Sequence, residues 1–383
     1  MTRIKVAHVL ETVWSGGVEQ RRLILAQDLP GERYEQILIC TAAKGDLPAQ
    51  FEAAGVPVHV IGDFRFPLDP RPLARCRRSL REFRPHIVHG AVYEGVEAAT
   101  IAGRLAGVPI VIGEETSDAH GRRLTGHLLY RALLALTDRM VAVSPIVRDY
   151  LVDDIHYPAE RTILIDNGIR DSGPADRKRV SDIRQSCGAA ADEILIGTVG
   201  RLVDGHKRVS DLLRAFASAR MELPSLRLVI VGDGPDAPML KTLANDLGVA
   251  DFVTFAGYQS DTRAFFDAMD IYVHPAAAEA FGLVLVEAML AELPIVASRV
   301  GGIPAVVEEG STALLVPPRQ PAELAEAILL VARDRELRTT LGAAGRQRAG
   351  ALFTAERYAS RIDSLYVESL RAIRPKLAAS IGI

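Results

Sequence analysis

At 383 residues, with 49% hydrophobic and 24% charged side chains, the chain is long enough for two or three cores and too apolar for wholesale disorder. A formal net charge of −3 leaves no electrostatic footprint for nucleic acid, and no nucleic-acid partner is expected. The longest apolar runs, Ile110–Gly113, Ala313–Pro317 and Ala327–Ala332, are too short to span a bilayer, and Met1-Thr-Arg-Ile-Lys leads into a strand without a signal-peptide layout.

In chain order, short β-branched runs alternate with amphipathic stretches. Strands are predicted at Lys5–Leu10, Gln36–Cys40, Val56–Val60, Ile87–Gly90, Ile110–Gly113, Met140–Val143 and Thr162–Ile165. Helices are predicted between them at Val18–Leu29, Gly95–Ala106 and Leu124–Ala135. This βαβα rhythm argues for a parallel sheet covered on both faces. It breaks into a polar stretch near Ser172–Ala191 and restarts with strands at Ile194–Val199, Leu226–Val231, Phe252–Phe255, Ile271–Val273, Ile295–Ala297 and Ala313–Val316. Helices over 321–333, 335–349 and 354–373 close the chain. The expected fold class is therefore α/β, with two doubly wound, Rossmann-like domains facing across a cleft. Domains are expected at 1–170 and 171–353, with a C-terminal helical segment, 354–383, crossing back to the first. Ligands of such sheets bind at the carboxyl ends of the strands, where the motifs below fall.

Cys40, Cys76 and Cys187 are scattered without metal spacing and read as thiols of a reducing compartment. The expected setting is the cytoplasm.

The first strand ends in Glu11-Thr-Val-Trp-Ser-Gly16-Gly17-Val-Glu19. Paired glycines at a strand-to-helix turn admit a phosphate to the backbone, with the helix dipole favouring its charge; a tight turn needing glycine for geometry alone fits equally well. Without G-x-G-x-x-G, a nicotinamide site is poorly supported. After the Ile194–Val199 run come Gly200, Arg201 and Lys207, which would bracket a diphosphate by a planar fork and a point charge; a solvated basic turn is the plainer alternative. Glu279-Ala-Phe281-Gly282-Leu283-Val-Leu-Val-Glu287 sets two acids around a helix N-terminus at Gly282-Leu283, which suits a ligand with an anion in the middle and hydroxyls at both ends. A nucleotide-diphosphate sugar is such a ligand. His274 reads as a structural histidine, and Asp233 as a turn residue that caps the following helix. No Asp-x-Asp, H-E-x-x-H or G-x-S-x-G occurs, so neither a metal site nor a cofactor is expected, and phosphate charge would be met by Arg201, Lys207 and helix ends.

These residues, with Pro85-His-Ile-Val-His89, Val143-Ser144, Asp166-Asn167-Gly168 and Val231-Gly232-Asp233-Gly234-Pro235, make the chain resemble a retaining glycosyltransferase of the GT-B fold, family 4. The resemblance implies that Arg201 and Lys207 neutralise the donor diphosphate and leaving group. Glu279 would bind donor-sugar hydroxyls, Glu287 the ribose hydroxyls, and amides at Phe281, Gly282, Leu283, Gly16 and Gly17 the phosphates or sugar. Tyr258 would lie beside the nucleobase. It further implies metal-independent transfer from a nucleotide-sugar, such as a UDP- or GDP-sugar, to a hydroxyl acceptor. The setting implied is polysaccharide or glycolipid assembly at the inner face of a cell membrane.

Several positions depart from the family pattern. Glu115 stands where relatives place a histidine near the reacting sugar; it reads either as a hydrogen-bond acceptor or base, or as a surface acid at a strand end. Ala91 breaks a His-x-His, Arg208 replaces a usual glycine, Arg170 a usual aspartate and Ala305 a frequent glutamate. Arginines at 71, 75, 77, 78, 81 and 84 surround a stripe of Leu73, Cys76, Leu80 and Phe83. The stripe reads as core-facing, and the arginines as a candidate contact for anionic lipid or a lipid-linked acceptor. Two other functions fit the scaffold: a nucleotide-sugar epimerase or hydrolase needing no acceptor, and a non-catalytic nucleotide-sugar-binding subunit.

Overall fold

The computed structural model describes residues 2–14, 16–66, 68–117 and 124–383. The chain divides into two compact units: one runs through Arg170 and resumes with Ala355–Ile383, and the other is Asp171–Thr354.

The first unit is built on a seven-stranded parallel sheet: β1 (Ile4–Val13), β2 (Tyr34–Ala43), β3 (Val58–Val60), β4 (Ile87–Ala91), β5 (Ile110–Glu115), β6 (Arg139–Ala142) and β7 (Thr162–Leu164), in the order β3-β2-β1-β4-β5-β6-β7. Central strands that bury both faces read as near-continuous apolar runs, as Ile87–Ala91 does with every residue buried. One layer of core joins Ile4, Val6, Ile24 and Leu25 to Tyr358, Ile362, Tyr366 and Leu370 of the Ala355–Ile373 helix, so the C-terminal helix covers this sheet. Pro375 starts one more helix, Pro375–Ile381, whose Ala378 and Ile381 extend the same core.

The second unit carries a six-stranded parallel sheet of β8 (Ile194–Val199), β9 (Leu226–Val231), β10 (Val253–Gly257), β11 (Ile271–His274), β12 (Ile295–Ser298) and β13 (Ala313–Val316), ordered β10-β9-β8-β11-β12-β13. Its core packs Leu212, Leu213 and Phe216 of the Val209–Glu222 helix and Ile328 and Val331 of the Pro321–Arg333 helix on Ile196, Leu228, Ile230 and Val273. Strand order reverses between β8 and β11, which pair directly through Ile271 with Ile196 and Tyr272 with Gly197. Loops that leave these two strands therefore diverge from one point, where ligands of doubly wound sheets bind.

The arginine-rich segment forms the Pro70–Phe83 helix, with Leu73, Cys76 and Leu80 buried and Phe83 half-buried, so its apolar stripe faces the core. Arg75 donates to the Ile61 carbonyl, Arg77 to that of Leu105, and Arg78 pairs with Glu82; Arg71, Arg81 and Arg84 are exposed. Among the described residues, no helix is long and apolar enough to cross a membrane.

Candidate functional site

In the second unit the loops after β8 and β11 are tied together. The Ala277 amide donates to the His206 carbonyl at 2.7 Å. Lys207 Nζ lies 2.6 Å from Glu279 Oε2, and His274 Nε2 lies 3.1 Å from the same oxygen. Burial alone would raise the Glu279 carboxyl, but the His274 hydrogen bond and the Lys207 ammonium outweigh it and hold the acid well below the usual carboxylate range. Burial, aided by Lys207, lowers His274 against the pull of Glu279 and keeps its imidazole neutral.

Close packing of backbone fixes the Glu279 loop. Gly302 donates to the Glu279 carbonyl at 2.8 Å. A Cβ at Gly301, whose φ is +52°, would sit 2.0 Å from that carbonyl oxygen, and one at Gly302 would sit 2.1 Å from the Ala280 oxygen. Gly282 then takes φ +92° to start the Leu283–Leu290 helix, so the first amides of that helix follow directly on the Glu279 loop. Phe281 is buried and packs edge-on against Phe353, 5.7 Å between centroids, which anchors the turn.

Glu287 lies in the second turn of that helix. It is half-buried, and among the described residues none donates to it or pairs with it; burial pushes its carboxyl up to about 7. Glu287 and Glu279 both act electrostatically on the buried Tyr272 phenol, which burial first and then these two charges raise well above its ordinary value.

On the β8 side, Arg201 is exposed and makes no ion pair among the described residues. Lys207 ends a four-residue helix, Asp204–Lys207, and Arg208 follows in the left-handed region at φ 52°, ψ 38°, which explains why glycine is usual there. Its guanidinium meets Asp211 with two hydrogen bonds of 2.8 and 2.9 Å, while Asp204 accepts from the Ser210 amide and hydroxyl. Asp233 accepts from the Gly234 amide and so serves its turn, but it does not cap the Ala237–Asp246 helix as expected; Asp236 occupies that position, and its carboxylate instead binds the Asp204 amide. Tyr258, after Gly257 at φ +67°, is about half exposed at the end of β10.

The remaining expected site residues belong to the first unit. Gly16 caps the Gly17–Asp28 helix in an extended conformation, and a Cβ there would lie 2.2 Å from Glu19 Oε2. The Glu19 carboxylate closes on this helix start, so a side chain at 16 would displace that flexible carboxylate. Glu115 is not a surface acid: it is 2% exposed and is the last residue of β5, paired with Ala142 of β6. Its Oε1 accepts from the Thr116 and Ser117 amides and the Ser117 hydroxyl, and its Oε2 from Tyr130. That is a carboxylate holding its own turn. The adjacent residues 118–123 lie outside the described set.

Residues 15–172 match the family described as Glycosyltransferase Family 4, and residues 180–348 match Glycosyl transferases group 1. The fold is that of solved GT-B enzymes: the Anabaena protein HepE, determined with UDP and glucose, superposes with a TM-score of 0.85 at 22% identity over 95% of this chain and 99% of that one. The chain belongs to the family 4 type of GT-B glycosyltransferases. WaaG, a glycosyltransferase involved in lipopolysaccharide biosynthesis, shares the fold with a TM-score of 0.75 at 19% identity, over 94% of this chain and 99% of WaaG. In sequence, the chain is 33% identical over 165 residues to N-acetyl-alpha-D-glucosaminyl L-malate synthase of Bacillus anthracis, covering 43% of each chain. It is 35% identical over 263 residues to D-inositol 3-phosphate glycosyltransferase of Geodermatophilus obscurus, covering 65% of this chain and 56% of that one. The matched stretches thus span about half the length of these two relatives.

His274 reads from the sequence as a structural histidine, and the structure places its ring against Glu279. The signal was present: Tyr272 and His274 sit two apart on one strand, which places both side chains on the same face.

Proposed function

We propose that this protein transfers a sugar from a nucleoside-diphosphate sugar to a hydroxyl acceptor, with retention of anomeric configuration and without a metal. The observation that carries the reading is the Lys207–Glu279 pair at the start of the Leu283–Leu290 helix, with an unpaired, half-buried Glu287 one turn further on. Lys207, Arg201 and the helix amides supply positive charge for a pyrophosphate, which grows more negative as the glycosidic bond breaks. Glu279, kept ionised, accepts hydrogen bonds from sugar hydroxyls. Glu287 is placed to accept from a ribose diol, whose two donors would relieve its desolvation.

UDP is the favoured nucleotide, on the analogy of HepE. The acceptor is read as a hydroxyl compound of cell-surface polysaccharide or glycolipid assembly, presented at the inner face of the membrane where the exposed Arg71, Arg81 and Arg84 meet anionic lipid. Thermal-shift screening against nucleoside diphosphates and their sugars identifies the donor, since a ligand that binds only the folded state raises the melting point by mass action. A crystal soaked with that diphosphate then decides the reading: pyrophosphate beside Arg201 and Lys207 supports it, and pyrophosphate elsewhere overturns it.

A further inference from the structure

Glu279 uses its two oxygens unequally. Oε2 receives both Lys207 Nζ, at 2.6 Å, and His274 Nε2, at 3.1 Å, whereas no described residue donates to Oε1. An ionised carboxylate only accepts, so His274 must carry its proton on Nε2. In the neutral ring Nδ1 is then an acceptor, and the Tyr272 hydroxyl stands 3.4 Å from it. The same hydroxyl stands 3.4 Å from the Val199 carbonyl, so one phenolic proton is shared between the His274 ring and the end of β8. The two rings lie nearly parallel, 21° between planes with centroids 6.2 Å apart, and His274 is 2% exposed. Tyr272 thus fixes the ring, and the ring fixes the acid.

We propose that His274 is a positioning residue for donor-sugar recognition: with Tyr272 behind it, it holds Glu279 by Oε2 and leaves Oε1 as the acceptor for a sugar hydroxyl. This rests on the donor-site reading above. The need for it follows from Lys207. A diphosphate competes with Glu279 for the Lys207 ammonium, so arrival of the ligand weakens one of the two grips on Oε2 when the acid must point at the sugar. An imidazole N–H has no such competing demand, because it is buried and can reach only the carboxylate. His274 therefore affects the sugar moiety of the ligand and not the nucleoside diphosphate.

The experiment is calorimetric titration of the full chain and three variants, His274→Leu, His274→Gln and Tyr272→Phe, with UDP, GDP, UDP-glucose and GDP-mannose. Losing one hydrogen bond to a charged group should weaken the sugar ester that binds by about tenfold in His274→Leu, with the parent diphosphate changed by less than about twofold. Glutamine places an amide N–H near the position of Nε2–H, so His274→Gln should recover most of that loss, and Tyr272→Phe should show a smaller, sugar-selective one. Equal weakening of diphosphate and sugar ester would mark His274 as merely structural and overturn the proposal, as would unchanged affinity in His274→Leu. A second arm does not depend on the variants folding: nitrogen-15 NMR of the unaltered protein should find the Nε2–H tautomer, and an Nδ1–H tautomer would also overturn it. If the unaltered protein binds none of the four ligands, the functional reading falls and takes this inference with it; binding without sugar selectivity defeats the inference alone.

Discussion

Replacing Glu287 with glutamine should make the ligand-free protein more stable at pH 8 while weakening its grip on a nucleoside diphosphate. An unfolded glutamic acid titrates near 4.5, whereas burial moves this one up to about 7. Below pH 4.5 both states hold the proton and the acid is buried neutral, at no electrostatic cost. Between those values only the folded state keeps it, so stability declines as pH rises, and above pH 7 the penalty is complete. At about 1.36 kcal/mol per pH unit the interval corresponds to about 3 kcal/mol; because the side chain is only half-buried, water lowers this to about 2 kcal/mol. Glutamine keeps the volume and removes the charge, so in a unit of this size the melting point should rise by about 4–8 °C at pH 8. At pH 5 most of the difference should vanish. In the same variant, UDP or GDP affinity should fall by about tenfold, since an amide oxygen accepts more weakly than a carboxylate. In the unaltered protein, affinity should weaken as pH drops below 7, because the ligand's hydroxyls need the ionised acid. Differential scanning fluorimetry at both pH values, with and without nucleotide, measures all of this. A lower melting point for Glu287→Gln at pH 8, or an equal rise at both pH values, would refute the electrostatic reasoning.

Lys207→Ala should reduce turnover by about a hundredfold or more while costing only about 1–2 kcal/mol of stability, because His274 still holds Glu279; this is measured by steady-state kinetics beside a urea melt. Arg201→Ala, at an exposed and unpaired position, should leave stability within about 0.5 kcal/mol and still slow turnover, and a wild-type rate would remove Arg201 from the site. Gly301→Ala forces a Cβ against the Glu279 carbonyl at positive φ and should destabilise the second unit by about 2–4 kcal/mol, read from the shift of its denaturation midpoint. Liposomes containing anionic lipid should carry the protein upward in flotation at low salt, less so when Arg71, Arg81 and Arg84 are changed to glutamine; salt-insensitive behaviour would end the membrane reading.

How far the sequence could be read depended on whether local pattern or pairing decided each element. Ile194–Val199, Leu226–Val231 and Ala313–Val316 are strands over the stretches expected, because each is a short run dominated by apolar and β-branched residues, interrupted only by Gly197 in the first and Arg227 in the second. Elsewhere pairing overrode composition. β1 continues through Glu11 and Thr12 to Val13 because β2 runs beside it to Ala43, and β5 continues through two glutamates because β6 pairs with them. The two readings of Glu115 stayed open for that reason, since nothing in two adjacent acids announces a central strand; its burial removes the surface-acid alternative. At the edge of the sheet the stretch expected at Val56–Val60 shortens to β3, Val58–Val60, which among the described residues has β2 alone beside it. The Glu279–Glu287 segment was legible because a loop, a glycine and a helix start follow one another there in the sequence itself. The Lys207–Glu279 contact was not, since it depends on β8 and β11 being neighbours, which strand order alone determines.

A buried acid of the first unit shows what separates a structural carboxylate from one awaiting a ligand. Glu114 in the first unit is 1% exposed, and its oxygens meet Arg22 Nη2 at 2.7 Å and Arg21 Nη2 at 3.1 Å. Around this cluster Arg22 also donates to the Tyr358 hydroxyl and His89 Nδ1 meets the Tyr366 hydroxyl at 2.8 Å, so these hydrogen bonds tie the C-terminal helix to its sheet. His8 and His89 are held neutral there by burial and by Arg22, which spares the fold another buried cation. Every charge in that cluster has a partner within its own unit, and removing one would leave the rest stranded. Glu287 has none, although burying it costs folding free energy and glutamine would fill the same space. A desolvated carboxylate that the protein leaves without a partner is explained when something outside the chain supplies the hydrogen bonds, and two neighbouring hydroxyls on a sugar ring match its two oxygens.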